Sequence, residues 1–218
     1  MNRKLILALA IGCVSLSAVA QKKFEGSIVY AMEVNSTDID PQQAAMMPTE
    51  KTTTVKGDLV KESMEAAFGS VNTIINTKEM ESNTFMDIMG NKMAFKLDKA
   101  MIEKMREKKP KMEIKLAPET KTIAGYNCKK AIAKNTEDNT TVDIWYTEEL
   151  PKVGNMEGEM YKEINGMLME FVAAGMGATE MKMTAKKVTA SKVDDKEFVM
   201  PTDYKMLSPE EMKQMGIK

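Results

Sequence analysis

The sequence predicts a mainly-β fold, an antiparallel half-barrel covered by short peripheral helices, with a closed lipocalin-like barrel as the alternative. Apolar and polar residues alternate over many short segments, of which residues 24–34 are the clearest example. Turn-forming pairs such as Gly57-Asp58 and Gly90-Asn91 separate these segments. One-sided alternation of this kind indicates a sheet with one face covered and the other exposed to water.

Roughly ten segments have the length and composition of strands. The predicted strands are residues 24–34, 52–56, 59–64, 71–76, 83–89, 92–97, 111–116, 127–134, 141–146, 167–173 and 179–193. In the segment 111–116, we expect Met112, Ile114 and Leu116 to point inward. The alternation of the last strand slips between Ala185 and Val188, which predicts a bulge. The remaining stretches 35–50 and 148–163 contain proline or glycine and predict irregular connections, and a turn or bulge is expected at residues 124–126.

Two segments carry helix signals. Asp98 is an expected N-cap for a helix over residues 98–109, and Pro110 follows its end. Three apolar residues share one side of this helix, which predicts that it lies over the sheet; these residues are Met101, Ile102 and Met105. The run Ser208-Pro209-Glu210-Glu211 is a capping box that predicts a short closing helix, stopped by Gly216.

The first 20 residues have the pattern of a secretory signal peptide, with a basic start, an apolar stretch and the small-residue cleavage site Ala18-Val19-Ala20. We expect cleavage after Ala20, which leaves residues 21–218 as a single mainly-β domain. The alternative is a lipoprotein signal that uses Cys13. No later stretch has the apolar length of a membrane span, so the prediction is an exported protein of the periplasm or extracellular space, with outer-membrane association left open.

Composition excludes several classes of function. The chain contains no histidine, which excludes Ser-His-Asp and Cys-His catalysis and histidine-ligated zinc. The net charge of −1 argues against nucleic acid as a partner. After cleavage only Cys128 remains, so no intramolecular disulfide is available and we expect a buried thiol. The sequence indicates no catalytic residues, cofactor or metal site.

Methionine is unusually frequent, with 23 residues in the chain, and most of them fall on strand faces predicted to point inward. Ordinary core packing is the first explanation, an apolar pocket for an acyl chain or lipoprotein anchor is the second, and Cu(I) binding is a distant third. The candidate apolar ligand-lining residues are Met93, Phe95, Met101, Ile102, Met105, Met112, Ile114, Trp145, Met169 and Phe171. Trp145 lies on the polar side of its strand, where edge packing is favoured over a ligand contact.

The middle of the chain carries a family resemblance. Residues 122–131 read T-I-A-G-Y-N-C-K-K-A, and residues 142–151 read V-D-I-W-Y-T-E-E-L-P. The flanking segments F-E-G-S-I-V-Y at 24–30 and Y-K-E-I-N-G-M-L-M-E-F at 161–171 occur in the same order. Together they resemble small secreted Bacteroidetes proteins, the GLPGLI type and a related group classed only as a domain of unknown function. The sequence at 165–168 fits the second group better.

The resemblance implies a fold similar to LolA/LolB-like carriers, whose half-barrel with a helical lid holds acyl chains. The leading hypothesis is therefore a non-enzymatic envelope binding protein that holds a lipid, an acyl chain or another apolar ligand between sheet and helices. The alternative is an envelope interaction or structural module without a ligand cavity, whose partner is another envelope protein. An enzyme is not expected, because histidine and a nucleophile signature are both missing.

Overall fold

The structure is a computed structural model that describes residues 24–34, 40, 46–174 and 180–216. The predicted signal peptide and the lipoprotein alternative at Cys13 lie outside the described residues. The strands are β1 (Glu25–Val34), β2 (Glu50–Lys56), β3 (Leu59–Ala66), β4 (Gly69–Asn76), β5 (Glu81–Ile88), β6 (Asn91–Leu97), β7 (Met112–Ile123), β8 (Tyr126–Asn135), β9 (Thr141–Thr147), β10 (Met167–Ala174), β11 (Glu180–Ala190) and β12 (Lys205–Met206). The helices are α1 (Lys99–Glu107), α2 (Met156–Met160), α3 (Pro209–Gln214) and a 3-10 helix (Asp195–Phe198).

The described strands form one open sheet. Its order is β12-β6-β5-β4-β3-β2-β1-β11-β10-β9-β8-β7, so strands that follow each other in the chain are mostly neighbours. The mainly-β class with few helices is confirmed. A closed barrel is wrong for the described strands, because β12 and β7 stand at the two ends of the ladder. A wholly antiparallel sheet is also wrong, because β12 pairs in parallel with β6.

The expected bulge in the last strand is confirmed. Val29 of β1 lies opposite Lys187 of β11, whereas the next residue, Tyr30, lies opposite Ala185. Lys186 is therefore the extra residue, and its insertion restores the inward position of the residues on both sides. The short turn before β8 is also present: Ala124 and Gly125 both have positive φ, +48° and +86°, as a two-residue hairpin turn of the primed type requires.

β7 differs from the prediction. It continues through Pro118 to Ile123, with a register shift between Leu116 and Thr120. Proline has no N–H to give to a ladder, so it is accommodated where the pairing is interrupted. Leu116, predicted to point inward, is 64% exposed. The alternation rule fails here because β7 is the edge strand of the sheet, where one face has little to cover it.

The core lies on one face of the sheet, which we call the inner face. It joins β1–β3 to β8–β11, and Met167, Met169 and Met183 are almost completely buried in it. Cys128 is free and buried, as predicted. The outer face is not uniformly wet: Ile74, Phe85 and Ala94 are covered by a cluster from the C-terminal segment, Phe198, Met200 and Tyr204. The alternation of residues within a strand cannot predict that a segment far along the sequence packs on its outer face.

Helix α1 packs on the inner face near the β6 end of the sheet. The Asp98 side chain accepts a hydrogen bond from the Met101 N–H at 2.9 Å, which confirms the predicted N-cap. Ile102 is buried against Phe95 and Leu97 of β6 and against Met212 of α3. No helix in the described part of the chain is both long and apolar enough to cross a membrane.

Helix α3 has the capping box that the sequence predicts. Ser208 Oγ accepts from Glu211 N–H at 3.2 Å, and the Glu211 carboxylate accepts from Ser208 N–H at 2.8 Å. Lys205 also donates to that carboxylate. The hydrogen bonds from Lys205 and Ser208 lower the pKa of Glu211 from 4.5 to about 2.

We expect α3 to loosen on acidification. The pKa of Glu211 is lower in the folded protein than in the unfolded chain. Ionised Glu211 therefore stabilises the folded state above the ordinary pKa of 4.5, and this stabilisation is lost as the pH falls towards about 2. The Cα chemical shifts of α3, followed by NMR, should lose helical character over this window. Glu211→Gln should weaken the pH dependence, and the control Glu210→Gln should leave it unchanged. An unchanged titration in Glu211→Gln would contradict the assignment.

Candidate functional site

A cavity of about 640 Å³ lies between the sheet and α1, and we call it the sheet–helix cavity. Strands β3–β6 form its floor, α1 forms one wall, and the β9–β10 connection forms another. Its apolar lining comprises Ile75, Phe95, Leu97, Ile102, Met105 and Met156. Its polar lining includes Glu62, Thr73, Asn76, Thr77, Ser82, Thr84, Arg106, Lys108, Asn155 and Glu159.

A row of polar residues crosses this face of the sheet, placed side by side by the strand register, and Glu62, Thr73 and Thr84 of the row line the cavity. Thr53 of β2 lies opposite Glu62 of β3, which lies opposite Thr73 of β4, which in turn lies opposite Thr84 of β5. We call these four residues the polar row. Directly opposite residues project to the same face of a sheet. The hydroxyls of Thr73 and Thr84 are hydrogen-bonded to each other at 3.0 Å.

The polar row has an apolar residue at each end. Ile28 of β1 lies opposite Thr53 at one end, and Phe95 of β6 lies opposite Thr84 at the other. Both end residues are buried. A sheet face that only packed against a helix would continue with apolar side chains between these ends, because burying hydroxyl and carboxylate groups carries a free-energy cost.

Glu62 also belongs to a buried ion cluster, which consists of Lys51, Glu62, Asn155 and Glu157. Lys51 Nζ lies 3.1 Å from Glu62 Oε1 and 2.8 Å from Glu157 Oε1, and the Lys51 side chain is only 5% exposed. Asn155 Nδ2 donates to Glu62 Oε1 at 2.8 Å. Asn155 is the N-cap of α2, where its Oδ1 accepts from the Gly158 N–H at 2.9 Å. The cluster therefore fixes α2 and the β9–β10 connection against the sheet.

The two carboxyl groups of the cluster titrate differently. Burial, reinforced by the charge of Glu157, raises the pKa of Glu62. Burial acts in the same direction on Glu157, but the charge and hydrogen bond of Lys51 outweigh it and lower that pKa. Burial lowers the pKa of Lys51, but the two glutamate charges together outweigh burial and raise it, so the ammonium stays charged.

A second, smaller cavity of about 240 Å³ lies on the other side of the ion cluster. Its walls are largely apolar and include Met32, Met47, Met64, Met181 and Met183. Lys51, Glu62 and Glu157 also line it. Since Glu62 lines both cavities, the ion cluster forms part of the boundary between them.

Arg106 of α1 brings a cationic group to the sheet–helix cavity. Its Nη2 lies 3.5 Å from Glu159 Oε2, at a partly exposed position. Its Nε is buried and has no hydrogen-bond partner among the described residues. The same is true of Thr53 Oγ1 in the polar row. Buried polar atoms are normally paired, and since Arg106 lines the sheet–helix cavity, its Nε marks a position where a ligand or water is expected there.

The residues predicted to line a ligand site are only partly brought together. Phe95, Ile102 and Met105 line the sheet–helix cavity. Met105 and Met112 line a pocket beyond α1, and Ile114 lines a neighbouring pocket.

The other predicted lining residues lie away from the sheet–helix cavity. Met101 packs against the cluster around Ile102, and Met93 is half-buried on β6. Met169 and Phe171 are core residues, 0% and 2% exposed. The Trp145 ring is covered by the ammonium groups of two lysines, Lys121 at 4.3 Å and Lys130 at 5.9 Å from its centroid.

The polar residues of the cavity and of the ion cluster were not predicted from the sequence. Glu62 shares a face of its strand with Val60 and Met64, and Lys51 and Thr53 share one with Val55, so each occupies an inward position. A charged residue at an inward position of a strand indicates a buried polar site, and this signal was present in the sequence. Arg106 and Asn155 gave no comparable signal, because a helix end and a loop do not reveal which way a side chain points.

The comparisons with known proteins identify the family. The family model described as "N-glycanase peptide, N-terminal domain" matches residues 28–208, most of the chain. The chain belongs to this family. Two solved structures of PNGF-II, in C2 and P21 crystal forms, have a similar fold, with TM-scores of 0.52 and 0.53, identities of 19% and 20%, and coverage of 88% of this chain. The chain spans about a third of their length, 32% and 33%. No curated protein matches it.

Family membership corrects three predictions. The resemblance to GLPGLI-type and LolA/LolB-like proteins is wrong, because both the family model and the solved structures are of N-glycanase type. The expectation that the protein is not an enzyme is contradicted by the same match, since an N-glycanase is an enzyme and this chain matches its N-terminal domain. The prediction of a lipid, a lipoprotein acyl chain or an envelope protein as the partner is wrong for the same reason, because the matched family is one of N-glycanases.

The reason for the wrong resemblance is physical. A half-covered sheet with a helix over it produces the same alternation and the same turn signals in several unrelated families. The motifs around Gly125 and Trp145 describe a hairpin: the turn at Ala124 and Gly125, and the pairing of Lys130 with Trp145. They specify strand pairing and carry little information about a ligand.

Proposed function

We propose that this protein takes part in the enzymatic removal of N-linked glycans from glycoproteins, and that the chain described here recognises the glycosylated polypeptide. The observation that carries the proposal is the match of the N-glycanase N-terminal-domain family over residues 28–208. The chain spans about a third of the PNGF-II chains, so we propose for it only the recognition step and not the whole reaction.

The geometry of the inner face supports recognition of a polar ligand. The sheet–helix cavity has the volume of a small-molecule site, and its lining combines apolar side chains with hydroxyl, amide and charged groups. Thr73, Thr84 and Glu62 have hydrogen-bonding capacity beyond the bonds they already make. An acyl chain could not use this capacity, whereas a glycan or a glycopeptide offers many donors and acceptors.

We also propose where the protein acts, on the basis of its sequence. The predicted signal peptide at residues 1–20 directs export to the periplasm or the extracellular space, where the rest of the chain acts as a single mainly-β domain. The half-barrel curvature expected from the sequence would place the sheet–helix cavity on the inner side of the sheet.

Binding measurements on a matched pair of polypeptides test the proposal. The full mature chain is titrated into a glycoprotein that carries one N-linked glycan and into the same polypeptide made without the glycan, and both affinities are measured by calorimetry. We expect tighter binding to the glycosylated form by about tenfold or more, which corresponds to one or two additional hydrogen bonds in a protected site. Equal affinities, or no binding to either form, would overturn the proposal.

A further inference from the structure

We propose that the sheet–helix cavity binds a neutral sugar unit, with Glu62, Thr73 and Thr84 of the polar row as its hydrogen-bonding floor and Arg106 of α1 as a donor from the facing wall. The inference rests on the proposed function and assigns glycan recognition to one place in the fold. The match to the N-glycanase family gives no such position, because it covers most of the chain.

The hydrogen-bonding groups of the cavity suit a ligand rich in hydroxyl groups. A threonine hydroxyl both donates and accepts, and Thr73 and Thr84 each keep capacity beyond the bond they share at 3.0 Å. Both bonds accepted by Glu62 from described residues go to Oε1, so Oε2 is available as an acceptor. Arg106 Nε is a buried donor without a described partner. A sugar hydroxyl can pair with each of these groups.

The charge of the cavity favours a neutral ligand. Among the described residues, its charged lining consists of two acidic and two basic side chains, Glu62 and Glu159 against Arg106 and Lys108. Lys51, which stands behind Glu62, is already engaged by both glutamates of the ion cluster. No excess of positive charge is left for a phosphate or sulfate group, which needs several unpaired cationic or N–H donors.

The apolar part of the lining fits the same ligand. Phe95 ends the row next to Thr84, and Ile75 and Leu97 lie on the adjoining cross-strand row with Ser82. Sugar rings have apolar C–H faces beside their hydroxyl edges. An apolar platform next to a line of hydroxyls therefore matches both parts of a sugar unit, whereas a uniformly apolar ligand would match only the platform.

An NMR titration of the labelled mature chain with N,N′-diacetylchitobiose tests the inference. We expect saturable shifts of the methyl groups of Thr73, Thr84 and Ile75, and none of the Trp145 indole, which is outside the cavity lining. Thr84→Val removes one hydroxyl with little change in shape and should weaken binding about tenfold. The control Thr54→Val, on the opposite face of β2, should bind as the wild type does.

Several outcomes would overturn the assignment. One is unchanged binding by Thr84→Val, and another is an equal loss in Thr54→Val. A third is inorganic sulfate producing the same shifts with higher affinity than the disaccharide. If Thr84→Val does not fold, Ser82→Ala replaces it, with the same expected direction.

The test also separates this inference from the proposed function. If the chain prefers the glycosylated polypeptide but Thr84→Val and Arg106→Gln keep that preference in full, the sheet–helix cavity is wrong as the site and glycoprotein recognition stands. If the preference for the glycosylated form is missing in the wild type, both fail.

Discussion

Replacing Lys51 with methionine is expected to lower the free energy of unfolding by about 3–5 kcal/mol, because it leaves two carboxylates buried beside each other without a counter-charge. Lys51 is 4% exposed and is the ion-pair partner of both Glu62 and Glu157 in the buried ion cluster. Chemical denaturation near pH 7 measures the loss. At about pH 4, the loss should be smaller, since protonation then removes part of the uncompensated charge.

Two further variants separate this electrostatic explanation from simple loss of packing. Lys61→Met removes a lysine from the neighbouring strand whose partner Glu197 is 53% exposed, and it should cost no more than about 1 kcal/mol. The triple variant Lys51→Met, Glu62→Gln, Glu157→Gln removes all three charges and should recover much of the lost stability. If the triple variant were as unstable as Lys51→Met, the ion cluster would not be the cause.

Gly26→Ala is expected to cost about 3 kcal/mol or more, through backbone strain and a steric clash acting together. Gly26 has a φ of +149°, which side chains rarely adopt, and a Cβ atom there would lie 2.0 Å from the carbonyl oxygen of Thr189. Relief would require β1 and β11 to separate at the centre of the sheet, where Gly26 pairs with Ala190. The change is measured as a fall in the unfolding free energy.

Gly57→Ala is the matched control for this substitution. Gly57 also has a positive φ, +60°, but nothing lies within 4 Å of the position of its Cβ atom. We expect a cost of about 1 kcal/mol from the left-handed backbone alone. Similar losses in Gly26→Ala and Gly57→Ala would contradict the close approach of β11 to β1.

The local parts of the fold could be predicted from the sequence because they depend on neighbouring residues. The cap at Asp98, the capping box at Ser208, the turn at Gly125 and the bulge at Lys186 all follow from short-range chemistry. Most strands follow from alternation for the same reason. The strand order could not be predicted, because the pairing of β1 with β11 joins residues from opposite ends of the domain.

The candidate site could not be predicted because it depends on register across several strands. The polar row brings Thr53, Glu62, Thr73 and Thr84 together only when four strands are aligned, and a slip of one residue would turn a strand's side chains to the other face. Phe95, Ile102 and Met105, three of the residues predicted from apolar alternation, line the same cavity, because alternation reports apolar positions. The acyl chain inferred from them is contradicted by the family match, and that inference left out the polar groups that line the same cavity.

We propose that this member of the N-glycanase N-terminal-domain family recognises glycosylated polypeptides. The most direct measurement is the ratio of two dissociation constants, for a polypeptide with one N-linked glycan and for the same polypeptide without it. We expect a ratio of about ten or more in favour of the glycosylated form. A ratio of about one would contradict it, whatever the affinity for the polypeptide itself.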